Sequence, residues 1–107
     1  MENKENVLTL KKPIMIDGAE TKEINYDFDE LTGRDLENVF KESTKSGYMV
    51  SASYELDPVI GGRVFAEAAN IAYTDVQRFS LADYGKAASL ARDFFMLGLV
   101  GSQDENI

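Results

Sequence analysis

The chain has 107 residues, enough for one hydrophobic core and too few for two, so a single domain with a single site is expected. Hydrophobic residues make up 44% and charged residues 28%, the usage of a folded globular chain and not of a disordered one. With 11 Lys+Arg against 19 Asp+Glu the net charge is -8, a field that repels phosphate backbones and anionic headgroups and argues against nucleic acid and membranes as partners.

There are no cysteines, so disulfides and thiolate metal sites are excluded, which fits a reducing compartment. The absence of histidine removes the usual neutral-pH base, the commonest zinc ligand and the middle member of a Ser/His/Asp triad. Met1 to Asn6 is polar where an export signal needs a basic then an apolar stretch, and the run Phe94 to Val100 falls far short of the about 20 residues of a membrane span. A soluble, cytoplasmic protein is expected.

Residues 1–6 read as a flexible N-terminus. From 7 to 28 the apolar positions Val7, Leu8, Leu10, Ile14 and Ile16 are followed by Asp17-Gly18, then by Ile24, Tyr26 and Phe28 alternating with Glu23, Asn25 and Asp27. Alternation predicts strands with one face on a core, and Asp-Gly between them predicts a hairpin. Pro13 donates no ladder hydrogen bond, so the first strand is expected to be an edge or to break there.

Thr32 with Asp35 three residues on predicts the cap of a helix whose apolar stripe carries Leu36, Val39 and Phe40 and which ends near Gly47. The segment 48–56 reads as an extended linker. Asp57-Pro58 predicts the start of a second helix, over about 58–72, with an apolar face of Ile60, Val64, Phe65, Ala68, Ile71 and Ala72. Gly61, Gly62 and the alanines there predict close approach of another helix. Thr74 to Phe79 reads as a short helical turn, and Ser80 with Asp83 caps a last helix from about Leu81 to Leu97, stopped by Gly98. The expected fold is α+β, an N-terminal β-hairpin packed on a small bundle of three main α-helices, with one domain over 7–101 and a flexible polar tail over 102–107.

No enzyme is expected. Asp27, Asp29, Glu30 and Asp83 lack the spacing of a calcium loop, Gly61-Gly62 lies in no phosphate-binding motif, and Ser51, Ser53 and Ser89 have no partner base. No cofactor and no metal is implied. On the last helix Tyr84, Ala87, Ala88, Ala91, Phe94 and Phe95 share a core-facing stripe, while Leu90 and Leu97 widen the apolar sector through Phe94. Such a surplus is either enclosed by the same domain or left for a partner.

The segments Leu10-Lys11-Lys12-Pro13-Ile14, Asp17-Gly18, Lys22-Glu23-Ile24, Leu31-Thr32-Gly33-Arg34-Asp35-Leu36, Phe79-Ser80-Leu81-Ala82-Asp83-Tyr84 and Asp93-Phe94-Phe95-Met96-Leu97-Gly98 occur in that order. The set resembles the tail assembly chaperones of tailed bacteriophages and prophages, over about residues 7–98. Residues 48–62 depart most, because Pro58-Val59-Ile60-Gly61-Gly62 stands where that family favours a smoother alanine-rich helix. The resemblance implies a non-virion protein in the cytoplasm of the bacterial host that binds the tape measure protein and keeps it soluble for tail tube polymerisation. It also implies contact with tail tube protein through a frameshifted longer form. Leu90, Phe94, Met96 and Leu97 are the expected partner-binding residues, and homo-oligomers through the same seam are compatible. The alternative reading is an acidic inhibitor or DNA-mimic protein, against which stands the scatter of the acids among Lys11, Lys12, Arg34 and Arg92.

Overall fold

The computed structural model describes the backbone of residues 6–105 and the side chains of residues 6–97. Among the described residues the architecture is α+β: an antiparallel hairpin followed by four helices, three of them long. Strands β1 (Val7–Ile16) and β2 (Ala19–Asn25) meet at Asp17-Gly18, where both residues take positive φ, 52° and 82°. That is the backbone of a tight two-residue turn whose twist matches the strands it joins. Leu8 pairs with Ile24, and these two with Leu10 are buried against the helices.

The break expected at Pro13 is present. Thr9 pairs with Glu23 while Ile14 pairs with Thr21, so β1 carries extra residues between those points. Bulged residues leave backbone donors without a ladder partner. Here the N–H groups of Lys11 and Lys12 donate instead to the two carboxylate oxygens of Asp83, at 2.9 and 3.1 Å. Pro13 has no donor to satisfy.

Helix α1 (Gly33–Lys45) opens with the expected reciprocal cap: the Asp35 N–H donates to Thr32 Oγ1, and the Thr32 N–H to Asp35 Oδ2. It closes at Ser46, after which Gly47 turns the chain with a φ of +95°. The linker 48–56 contains one 3-10 turn, Tyr54–Leu56. Asp57 caps α2 (Pro58–Ala69) through Oδ1 on the Val59 N–H, while its Oδ2 accepts from the Tyr48 hydroxyl at 2.6 Å. That bond holds the phenolic proton in place, so the Tyr48 pKa is raised.

Helix α2 ends earlier than the periodicity predicts. Asn70 adopts the left-handed conformation, φ 58°, and the Ile71 N–H reaches back to the Ala66 carbonyl. Asn tolerates this conformation better than other non-glycine residues, and the termination releases Ile71 and Ala72 from the helix. The short α3 (Tyr73–Gln77) follows, one residue earlier than expected, and Arg78 ties it to the hairpin by donating to the Met15 carbonyl at 2.7 Å. Ser80 caps α4 (Leu81–Glu105) by accepting from the Asp83 N–H. The expected stop at Gly98 is not observed, since the helical backbone continues through it to Glu105. A single helical glycine costs only about 1 kcal/mol relative to alanine, which the neighbouring turns can carry. The segment expected as a flexible tail therefore begins as helix, and residues 106–107 lie outside the described residues, as do residues 1–5 at the other end.

Helix α2 is central, and α4 lies directly along it. A Cβ on Gly61 would sit 3.1 Å from the Ala88 carbonyl oxygen, and one on Gly62 would meet the Tyr84 ring, 2.6 Å from Cζ. The Tyr84 hydroxyl, seated over this gap, bonds the Tyr73 hydroxyl at 2.7 Å and the Pro58 carbonyl at 3.0 Å. Burial and the Tyr73 bond push its pKa well above the usual tyrosine value. Ile60, Phe65, Val76, Ala87 and Ala91 are fully enclosed around this contact.

Two alanine substitutions separate packing from helix propensity. Gly62→Ala forces the Tyr84 ring aside and should destabilise the domain by about 2 kcal/mol despite its better propensity. Gly85→Ala, at a helical glycine with nothing within 4 Å of the new methyl, should stabilise by roughly 0.5–1 kcal/mol. Urea midpoints measure both, and equal shifts of one sign would contradict the proposed packing.

Candidate functional site

Aromatic rings lead from the core to the surface. Phe79 packs on Phe65 at 6.3 Å between centroids, Phe65 on Phe28 at 6.5 Å, and Phe28 stacks on Phe94 at 5.2 Å. Beyond Phe94 the series continues through Phe95 and Tyr54 to Phe40 on α1. Phe65 is fully buried, whereas Phe94 is 38% exposed. Angularly Phe94 falls within the buried sector of α4, near Ala87 and Ala91, so its exposure arises from its position along the helix. Phe28 stacks on it and leaves the rest of the ring open to solvent.

The four residues expected to bind a partner are not equivalent. Leu90 is half-buried and packs on the core, so the fold itself uses part of that side chain. Met96 is 47% exposed and Leu97 67% exposed. Spacings of four and three residues make Leu90, Phe94 and Leu97 successive neighbours on one ridge, while Met96 stands about 100° round the helix from Leu97. The ridge therefore joins three of the four, while Met96, about 160° from Phe94, faces away from it.

Beside the ridge lies a cleft of about 220 Å³. Phe28, Val39 and Val64 form its buried floor, and Leu31, Leu36, Phe94 and Phe95 its walls. Asp35 and Glu67 are its charged lining residues, and no Lys or Arg lines it. Sequence reading placed Leu36, Val39, Val64 and Phe95 in the core, and only the gap where α1, α2 and α4 diverge turns them into a concave surface. Periodicity reports which face is apolar, not whether neighbouring elements close over it.

The acidic candidates resolve into structural roles. Asp27 accepts from the Asp29 N–H at the start of the 3-10 turn Phe28–Glu30, and Asp35 is occupied by the α1 cap. Among the described residues no three His, Cys, Asp or Glu converge as a metal site, and no helix is long and apolar enough to cross a membrane. Asp83 is the buried acid, 2% exposed. Burial pushes its pKa up, but the Lys11 and Lys12 N–H groups, the Ser80 hydroxyl and the Lys11 charge outweigh that, and the net direction is down. A carboxylate held ionised by two backbone donors serves as an anchor for the β1 bulge.

No family model, no curated protein and no solved structure matches this chain.

The Asp83 tie makes stability depend on acid. Its folded pKa lies below the unfolded value of about 3.9, so its contribution is complete above that value and is lost as pH falls through the folded one. Asp83→Asn should destabilise by roughly 1–3 kcal/mol at neutral pH, since one of the two accepting oxygens is replaced by an NH2 donor that faces a backbone N–H. The difference in urea midpoint between wild type and variant should shrink steadily below about pH 4. A gap unchanged to about pH 2 would refute the carboxylate's role.

Proposed function

We propose that this domain is a tail assembly chaperone of a tailed bacteriophage or prophage, which binds the tape measure protein in the host cytoplasm and keeps it soluble for tail tube polymerisation. The observation that carries this reading is the apolar ridge Leu90, Phe94 and Leu97, exposed toward its distal end and flanked by the cleft. Tape measure proteins are long and helix-rich, and an amphipathic helix laid against an apolar ridge is a common way for one protein to hold another. The sequence resemblance supports the same reading. Two of the segments that carry it, Leu10 to Ile14 and Phe79 to Tyr84, meet through the Asp83 bonds.

In this reading the protein is not an enzyme and is not part of the virion. Nucleic acid and membranes are not partners, and tail tube protein is met through a frameshifted longer form. An acidic DNA mimic would act through its carboxylates, whereas the large side chains Phe94, Met96 and Leu97 that α4 leaves exposed are apolar.

Co-expression with a phage tape measure protein tests the reading. The wild-type chain should keep most of the tape measure protein soluble. Met96→Asp with Leu97→Asp, at exposed positions outside the buried core, should reduce that fraction several-fold while leaving the circular dichroism melt unchanged. Full solubility with the double variant would refute the ridge as the client surface.

A further inference from the structure

The cleft beside Phe94 has a size and charge that narrow what it holds. Its volume, about 220 Å³, lies below the roughly 300–1,000 Å³ typical of small-molecule sites. Of its polar lining residues, Thr32 and Asp35 are engaged with each other in the α1 cap, which leaves Glu67 to meet a ligand. Aromatic and aliphatic walls instead match a single large apolar side chain, the kind of anchor that dominates protein interfaces.

We infer that this cleft is the socket for one such side chain carried by a basic amphipathic helix. The inference rests on the chaperone reading and specifies the chemistry of its client. Phe94 belongs both to the cleft wall and to the ridge running on to Leu97, so a helix anchored in the cleft has a track for its next apolar positions. The charge is one-sided: Asp35 and Glu67 line the cleft, no basic residue does, and the chain carries -8 overall. Lys or Arg beside the anchor therefore meets an attractive field and Glu or Asp a repulsive one. The same argument disfavours a second copy of this chain, which would bring an equal negative charge.

Titration of the full-length, isotope-labelled protein with two designed helical peptides of about 18 residues tests this. Both share one Leu/Phe face; one has a lysine polar face, the other a glutamate one. The lysine peptide should shift the backbone amides of residues 28–39 and 94–95 and bind at least about tenfold more tightly than the glutamate peptide at low salt. Glu67→Lys, at an exposed position, should weaken the lysine peptide roughly threefold or more, as should raising salt from about 50 to 500 mM. Equal binding of both peptides, absence of binding by either, or shifts confined to Leu90 and Leu97 would each overturn the socket. Concentration-dependent shifts at the cleft without peptide would assign it to a second copy and overturn it as well. None of these outcomes touches the co-expression result, and loss of tape measure solubilisation with the socket intact would remove the chaperone reading alone.

Discussion

The distance between α2 and α4 is set by two residues without side chains. At Gly61 the backbone of α4 comes close enough that Ala88 would crowd any methyl, and at Gly62 the Tyr84 ring occupies the space a methyl would need. Helix axes normally lie 8–10 Å apart according to the side chains at the contact, and glycine against alanine selects the near end of that range. Once α4 lies that close, its small residues Ala87, Ala88 and Ala91 suffice to fill the contact. The large rings Phe94 and Phe95 follow further along the helix, past this close contact.

The hairpin depends on the same placement of α4. A two-stranded sheet is marginal in water, and this one is interrupted by a bulge that leaves two donors unpaired. Asp83, in the first turn of α4, accepts both. Its position close to the helix N-terminus favours the charged form, as the bonds themselves do. Three constraints converge at this point: the cap at Ser80, the bulge before Pro13 and the packing of Ala87 one turn further along α4. Arg78 adds a second tie at the far end of the hairpin through the Met15 carbonyl.

Much of this architecture is legible in the residues themselves. Asp17-Gly18, Thr32 with Asp35, Asp57-Pro58 and Ser80 each specify local backbone through chemistry that needs no tertiary context, and the structure places turns or caps at all four. The glycine pair was legible as a close contact because two adjacent glycines cost helix propensity that close packing repays. Helix ends that depend on context were not. Asn70 terminates α2 by a backbone conformation that asparagine tolerates without demanding, and Gly98 is traversed because one glycine is a weak stop. The role of Asp83 was hidden for a different reason: its partners lie more than seventy residues away and are main-chain groups, to which side-chain patterns are blind.

The apolar ridge was legible as a surplus, and its surroundings were not. A helical wheel assigns Phe94 to the core, and angularly that is correct, since it stacks on Phe28 within a series of rings reaching the buried Phe65. Exposure follows from length: α4 continues beyond the elements that cover its first half, so a residue on its inner face emerges at the edge of the domain. The cleft is thus the open end of the hydrophobic core. Side chains entering it would extend contacts already made by Phe28, Val39 and Val64, with no rearrangement of the ring series required. A surface of that origin is preorganised by the packing that holds the fold, which lowers the entropy lost when a helix docks.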